Sequence, residues 1–370
     1  MQHLVVQHVR NLQQVDVRLH ERVNLFCGDN AQGKTNLLET VALCCNGKPL
    51  RQVGSASELI GFGCDWARVS ARFGGQTPFA VQVGITAAGK KTLQLDNKVM
   101  RRFAPLLQRV AMVCFVPDNL NIALGSASHR RTALDQLCSG LQSSYIDWYR
   151  QYEKALIGRN RLLKHPPVDP DVLQPFNQVL IEAGAHLLHA RLQAVQIWLP
   201  LWQKALHAIF GSQIPLQMRY QATVALDNSC QQQAAMSIAQ LQQRFADKLQ
   251  QQQTLEKQRK STLCGPHLDD VALSLADAPV RQVASRGQAR SVVLALKLAH
   301  LQAISQRADR YPLLLLDDVM GELDRHHAHR LLQLVHACQA QTFMTTTHID
   351  SKLEHAHGLF HVNQGGVTLS

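Results

Sequence analysis

Gly28-Asp29-Asn30-Ala31-Gln32-Gly33-Lys34-Thr35 decides how the rest of the chain is read. The spacing is G-x-x-x-x-G-K-T, the pattern of a phosphate-binding loop. Its glycines allow a tight turn in which successive backbone N–H groups point inward at a phosphate. Lys34 is placed to reach the β- and γ-phosphates of a nucleotide, and the Thr35 hydroxyl to hold Mg²⁺. Both flanks agree with this reading. Residues 23–27 are a short, mostly apolar run with the character of a buried strand. Residues 35–43 have the pattern of a helix whose N-terminus faces the loop.

A second constellation lies far down the chain. Leu313–Leu316 are four leucines followed by Asp317 and Asp318. A buried strand with an acid at its carboxyl end is the Walker B pattern, and open α/β sheets gather their ligands at that end. Asp317 is the expected Mg²⁺ ligand. Asp318 stands where a second acid can orient or deprotonate an attacking water. About thirty residues earlier, Ser285-Arg286-Gly287-Gln288 opens a helical pattern over 289–304. A serine at a helix start, with glycine nearby, offers outward-facing N–H groups to an anion. In ATPases of the ABC type a motif of this kind touches the γ-phosphate bound by the other subunit. The acidic pair Glu322 and Asp324, just after the leucine strand, matches the D-loop of that class. After a strand over 341–347, either Thr347 or His348 is the expected γ-phosphate sensor.

Composition sets the limits. The chain has 370 residues and a net charge of +11, with 46% hydrophobic residues. That charge favours a polyanionic partner such as nucleic acid. No run of about 18 apolar residues occurs, so no transmembrane helix is expected. The N-terminus lacks the pattern of a signal peptide. The nine cysteines include no C-x-x-C pair. Together these features predict a protein of the reducing cytoplasm that uses no membrane.

Strand patterns fill residues 3–27 and 66–95, the latter alternating in short segments that predict an antiparallel sheet. Residues 110–116 read as a buried strand ending at Pro117. Helical periodicity then predicts helices over 127–141, 145–164 and 172–210, the last broken at Pro200. A glutamine-rich stretch, 231–258, keeps helical spacing and reads as a polar-faced helix. The expected division is 1–116 as one part of an ATPase head, 117–212 as a helical lobe, and 213–370 as the rest of the head. Residues 101–170 hold ten Lys/Arg against five acids, and Arg130, Arg131, Arg159 and Arg161 are the candidate DNA contacts.

Taken in order, these motifs resemble the RecF family of bacterial recombination and gap-repair ATPases, relatives of the SMC proteins. Residues 33–39 match its GKTN-L-LE, and 125–135 its G-x-P-x-x-RR-x-x-LD. Gly265–Asp270 is similar to its GPHRDD, and Ala295–Ala299 to its LKLA. The likeness covers the whole chain. Ala127 stands in place of a proline, His129 in place of a common acid, and Leu268 in place of the arginine of GPHRDD.

The resemblance implies an α/β fold: a P-loop ABC-type ATPase head, with a mixed sheet, helices and an antiparallel β subdomain, plus an inserted helical lobe. It implies ATP and Mg²⁺ as cofactors and slow, DNA-stimulated hydrolysis that acts as a switch. Gly28, Asp29, Asn30, Ala31, Gln32, Gly33, Lys34 and Thr35 would hold ATP in one subunit. Ser285, Gly287, Gln288 and Asp324 would complete the site. Lys34, Asp317 and Asp318 would be catalytic, with Thr35 and Asp317 on the metal. The implied partners are duplex DNA near single-strand gaps, a second copy of the chain, RecR and RecO, with RecA loading, DNA replication, DNA damage and the SOS response as the setting. An SMC-like chromosome-structure ATPase would need two long heptad arms, which the sequence lacks. A transporter ATPase subunit would place its signature far closer to the phosphate loop than Ser285 stands.

Overall fold

The computed structural model describes the chain except for residues 52, 166, 168, 212–214, 225–232, 308–311, 321–324, 339, 348–357 and 370. Two compact units emerge: residues 1–118 with 304–370, and residues 119–303.

The first unit holds two six-stranded sheets. In one, β1 (His3–Val9), β2 (Leu12–Arg18), β4 (Trp66–Phe73), β5 (Phe79–Thr86), β6 (Lys91–Leu95) and β7 (Lys98–Met100) pair antiparallel in the order β2-β1-β4-β5-β6-β7. Strict alternation puts Ala67, Val69, Ala71 and Phe73 of β4 inside and leaves Trp66, Arg68 and Arg72 exposed. The other sheet contains β3 (Val23–Cys27), β8 (Met112–Phe115), β12 (Leu313–Leu316), β13 (Gln341–Thr346), β14 (Gly358–Asn363) and β15 (Gly366–Leu369), ordered β15-β14-β3-β13-β12-β8. All of its pairs are parallel except β14 with β15. Every residue of β3 and β12 is buried, as a parallel sheet covered on both faces requires. Helix α1 (Lys34–Asn46) follows the phosphate loop and buries Leu37, Leu38, Val41 and Ala42 in the core that both sheets share. Phe26 stacks at 6.5 Å on Phe343 and at 5.0 Å on Phe360. Such aromatic pairs add about 0.5–1.5 kcal/mol each beyond their burial. Helices α2 (Ala104–Arg109) and α10 (Arg325–Ala337) complete the unit. The expected buried strand over 110–116 is shorter, and it forms the edge of its sheet, which leaves Met112 and Cys114 half-buried.

The second unit contains α3 (Asn121–Leu124), α4 (Ala127–Leu141), α5 (Tyr145–Leu163), α6 (Pro170–Phe210), α7 (Ile238–Arg259), α8 (Val280–Val283) and most of α9 (Arg286–Arg307). A three-stranded sheet of β11 (Ala278–Pro279), β10 (Asp270–Leu275) and β9 (Leu216–Gln221) belongs to it. Two expectations need correction here. The helix over 172–210 does not break at Pro200. The indoles of Trp198 and Trp202 are buried and donate to the carbonyls of Leu296 (3.1 Å) and Val292 (2.8 Å). Packing on both sides of the proline thus offsets the roughly 3 kcal/mol that it costs a helix interior. The return to the head expected at residue 213 also fails, because β9 pairs with β10 and α7 packs on α6, which keeps 213–303 with the helices.

A candidate nucleotide site and the fate of the arginines

Register places the site. Cys27 of β3 lies opposite Thr346 of β13, and Met344 of β13 opposite Leu316 of β12. The carboxyl ends of the three strands are therefore level, and the phosphate loop, Thr345 and the Asp317–Asp318 pair emerge side by side.

The loop has the backbone that its glycines predict. A Cβ on Gly28 would lie 2.2 Å from the Val362 carbonyl oxygen, so no other residue fits there. Gly33 has φ +113 and faces the Asn11 side chain, where a Cβ would meet Oδ1 at 2.8 Å. Lys34 is buried, and its Nζ donates to the carbonyls of Gly28 (2.6 Å) and Asp29 (2.8 Å). The ammonium thus sits in the bowl of the loop, where phosphate oxygens would replace those carbonyls.

Facing it, the Thr35 hydroxyl lies 2.9 Å from both oxygens of Asp317. Asp317 is 5% exposed and also accepts a 2.8 Å hydrogen bond from Thr345 Oγ1. Burial raises its pKa, while the hydroxyls of Thr345 and Thr35 pull the other way. The Thr345 hydroxyl in turn accepts from the Asp318 backbone N–H at 2.9 Å. That bond holds Asp318 at φ 51, a left-handed conformation costly for a non-glycine residue. Asp318 Oδ1 is buried, with no hydrogen-bond partner among the described residues. A buried carboxylate oxygen without a partner needs a donor or a cation. The donor set of Thr35, Asp317 and Asp318 is all oxygen, which suits Mg²⁺.

Behind the loop is a network that the sequence reading missed. Glu39 is fully buried and takes Arg10 Nε at 2.6 Å and Arg51 Nη2 at 3.3 Å. Arg51 also donates to Asn36 Oδ1, and Asn36 Nδ2 donates to Asn11 Oδ1 at 2.7 Å. Asn11 Nδ2 reaches the carbonyl of Gln32 at 3.1 Å. The β1–β2 turn is thereby tied to the phosphate loop. Glu39, the sixth residue of α1 and its single acid, was the available signal. Thr345 was equally hidden, as one of three adjacent threonines.

Ser285, Gly287 and Gln288 belong to the second unit and are exposed at the start of α9. The Gln288 backbone N–H donates to Ser285 Oγ at 3.2 Å, and the Ser285 N–H donates to Gln288 Oε1 at 2.9 Å. The motif is therefore also a capping box. Asp324 and His348 lie outside the described residues. Thr347 is half-buried, and its carbonyl accepts from Cys27 Sγ at 3.7 Å.

Two of the four arginines proposed for DNA are buried. Arg159 is 2% exposed and donates to Glu256 (2.6 Å), Thr262 (2.8 Å) and Asn177 (2.7 Å). Arg130 is 7% exposed and grips both oxygens of Asp270, at 2.7 and 2.9 Å. Burial alone would raise the Asp270 pKa, but the Arg130 hydrogen bonds outweigh it and hold the carboxyl below its usual value. Arg131 is half-buried and donates to the Asp269 carbonyl at 2.7 Å. Of the four, only Arg161 is exposed. The Gly265–Asp270 motif acts as a structural hub. Buried Arg191 donates to the Pro266 carbonyl at 2.6 Å, and Tyr220 donates to Asp269 Oδ2 at 2.6 Å. Leu268, in the place of the family arginine, is 44% exposed.

Comparison with known proteins agrees with this geometry. Residues 1–368 match the family described as RecF/RecN/SMC N terminal domain. The DNA replication and repair protein RecF of Anaeromyxobacter sp. (strain K) is 36% identical, with 93% of this chain and 91% of that protein covered. RecF of Gloeobacter violaceus is 34% identical, over 92% of this chain and 90% of the relative. A solved structure of the recombination mediator protein RecF with ATP, from the RecFOR pathway, superposes with a TM-score of 0.89 at 27% identity, covering 100% of this chain and 97% of that one. An SMC head bound to the winged-helix domain of ScpA superposes at 0.57 with 13% identity, a likeness of fold alone. The ATP-binding head, the match along the whole chain and these relatives agree: the chain belongs to the RecF family.

Proposed function

We propose that this chain is an ATP-driven DNA-binding protein of replication and recombinational repair, working in the cytoplasm at the nucleoid. The arrangement of Lys34, Thr35, Asp317 and Asp318 around one pocket carries the reading. Lys34 and the loop N–H groups would bind the β- and γ-phosphates. Thr35 and Asp317 would hold Mg²⁺, which supplies charge neutralisation at the phosphates. Asp318 Oδ1 would accept a proton from, and so orient, the attacking water. Gly28 to Thr35 supply one half of the site. Ser285 and Gly287 of a second copy, at a helix N-terminus, would supply donors to the γ-phosphate, and Asp324 would contribute to completing the site.

ATP then joins two copies, and slow hydrolysis, stimulated by DNA, separates them. The dimer would bind duplex DNA near single-strand gaps and work with RecR and RecO. The RecFOR pathway named for the solved relative supports this choice of partners. Sizing the protein with and without ATP and gapped duplex DNA tests the reading. A dimer that forms only with ATP, and engages DNA only as a dimer, is the expected result. A monomer under all conditions would exclude the shared site.

A further inference from the structure

With Arg130 and Arg159 spent inside the protein, some of the cations left exposed on the second unit form an ordered set. Arg150, Lys154, Arg161 and Lys164 are exposed on or just past α5, spaced 4, 7 and 3 residues apart, with exposed Ile157 (64%) filling the gap. That spacing is one face of a helix. At 1.5 Å per residue the stripe is about 21 Å long.

Its end is extended by a second helix. Arg159 binds Glu256 and Thr262, and Asn160 Oδ1 accepts from the Thr262 backbone N–H at 2.8 Å and from its hydroxyl at 2.7 Å. These bonds bring the carboxyl ends of α5 and α7 together. Lys257, Arg259 and Lys260 therefore join Arg161 and Lys164 at one tip, all five exposed. None of the five has a side-chain hydrogen bond or ion pair among the described residues. Of the nearby acids, Glu256 is buried on Arg159, Asp169 accepts the Asp171 N–H at the start of α6, Asp147 lies 3.8 Å from Arg150, and Glu153 and Asp171 are exposed on α5 and at the start of α6. Helix dipoles favour cations at carboxyl ends, which gives the tip a structural use. They do not account for Arg150, which stands near the amino end of α5.

We propose that this stripe and tip form a docking surface for the sugar–phosphate backbone of duplex nucleic acid. The inference rests on the DNA-binding reading above. The stripe's length matches about six phosphate steps of one strand at 3.4 Å each. Single-strand binding relies on aromatic platforms for stacked bases. None interrupts this stripe, where the one large apolar side chain is Ile157, so the backbone of a duplex is the occupant that fits.

The test is anisotropy titration of a labelled duplex with ATP across a range of salt. The variant is Arg161→Gln/Lys164→Gln/Arg259→Gln. The control, Arg18→Gln/Lys90→Gln/Lys98→Gln, removes equal charge from exposed positions of the first unit. The slope of log affinity against log salt should fall by about 2 to 3 in the variant, since each lost phosphate contact removes about 0.9. Duplex affinity near 0.15 M salt should fall at least tenfold, with ATP affinity unchanged. The control should keep the wild-type slope. A wild-type slope in the variant, an equal loss in the control, or a loss confined to single strands would overturn the assignment. A wild-type protein that does not bind duplex at all would overturn the DNA reading as well.

Discussion

The Thr35 hydroxyl lies 2.9 Å from both carboxylate oxygens of Asp317, although 282 residues separate the two. One hydroxyl proton serves two oxygens, so the pair holds open a gap that a cation ligated by both would fill. Asp317→Asn should therefore bind ATP in EDTA as the wild type does but lose the tightening that Mg²⁺ brings. Calorimetric titration with and without Mg²⁺ reads this, and an unchanged metal effect would place the cation elsewhere.

Lys34 reaches two loop carbonyls that phosphate oxygens would displace. Lys34→Met should weaken ATP binding roughly 10- to 100-fold, as loss of a charge-assisted hydrogen bond of about 1.5–3 kcal/mol requires. Thermal shift without nucleotide should stay within a few degrees of wild type, which separates lost binding from lost folding.

Asp318→Asn removes the proton acceptor and leaves the backbone hydrogen bond to Thr345 in place. Hydrolysis should fall by about 10² to 10⁴, while ATP-dependent association persists or lengthens. Single-turnover phosphate release, read beside sedimentation, checks both. If turnover survived, Asp318 would have no part in activating water.

Ser285 caps α9 at an exposed position of the second unit. Ser285→Arg should spare ATP binding and prevent ATP-dependent dimers. Normal dimers in sedimentation would contradict a site shared between copies.

His267 is pushed down to about 4, chiefly by burial, with neighbouring arginines adding to the effect. Its usual value is 6.5, so the unfolded chain takes up a proton before the folded chain does. Stability from this group is complete above pH 6.5 and is lost as pH falls toward 4, at no more than about 1.4 kcal/mol per pH unit. Urea midpoints measured from pH 7.5 to 4.5 should decline, and His267→Gln should flatten that decline.

Strand and helix patterns were legible because periodicity records which faces meet a core. The alternation in β4 and β5, the all-buried β3 and β12, and the span of α4 follow from the sequence directly. The phosphate loop and the leucine strand with its two acids were legible because their chemistry is local: a few consecutive residues make the turn or the strand end.

Other questions turned on residues far apart in the chain. Arg159 and Arg161 differ by two positions and carry the same charge. One is buried against Glu256, 97 residues away, and the other faces solvent. Nothing in the local pattern separates them, because a charge can enter a core only where a distant acid meets it. Pro200 remains inside a helix because Trp198 and Trp202 find carbonyls on α9. The sequence by itself determined that a nucleotide loop stands ahead of a Walker B strand. Only the tertiary structure decided which arginines remain free for a partner, since that depends on where chain-distant acids come to lie.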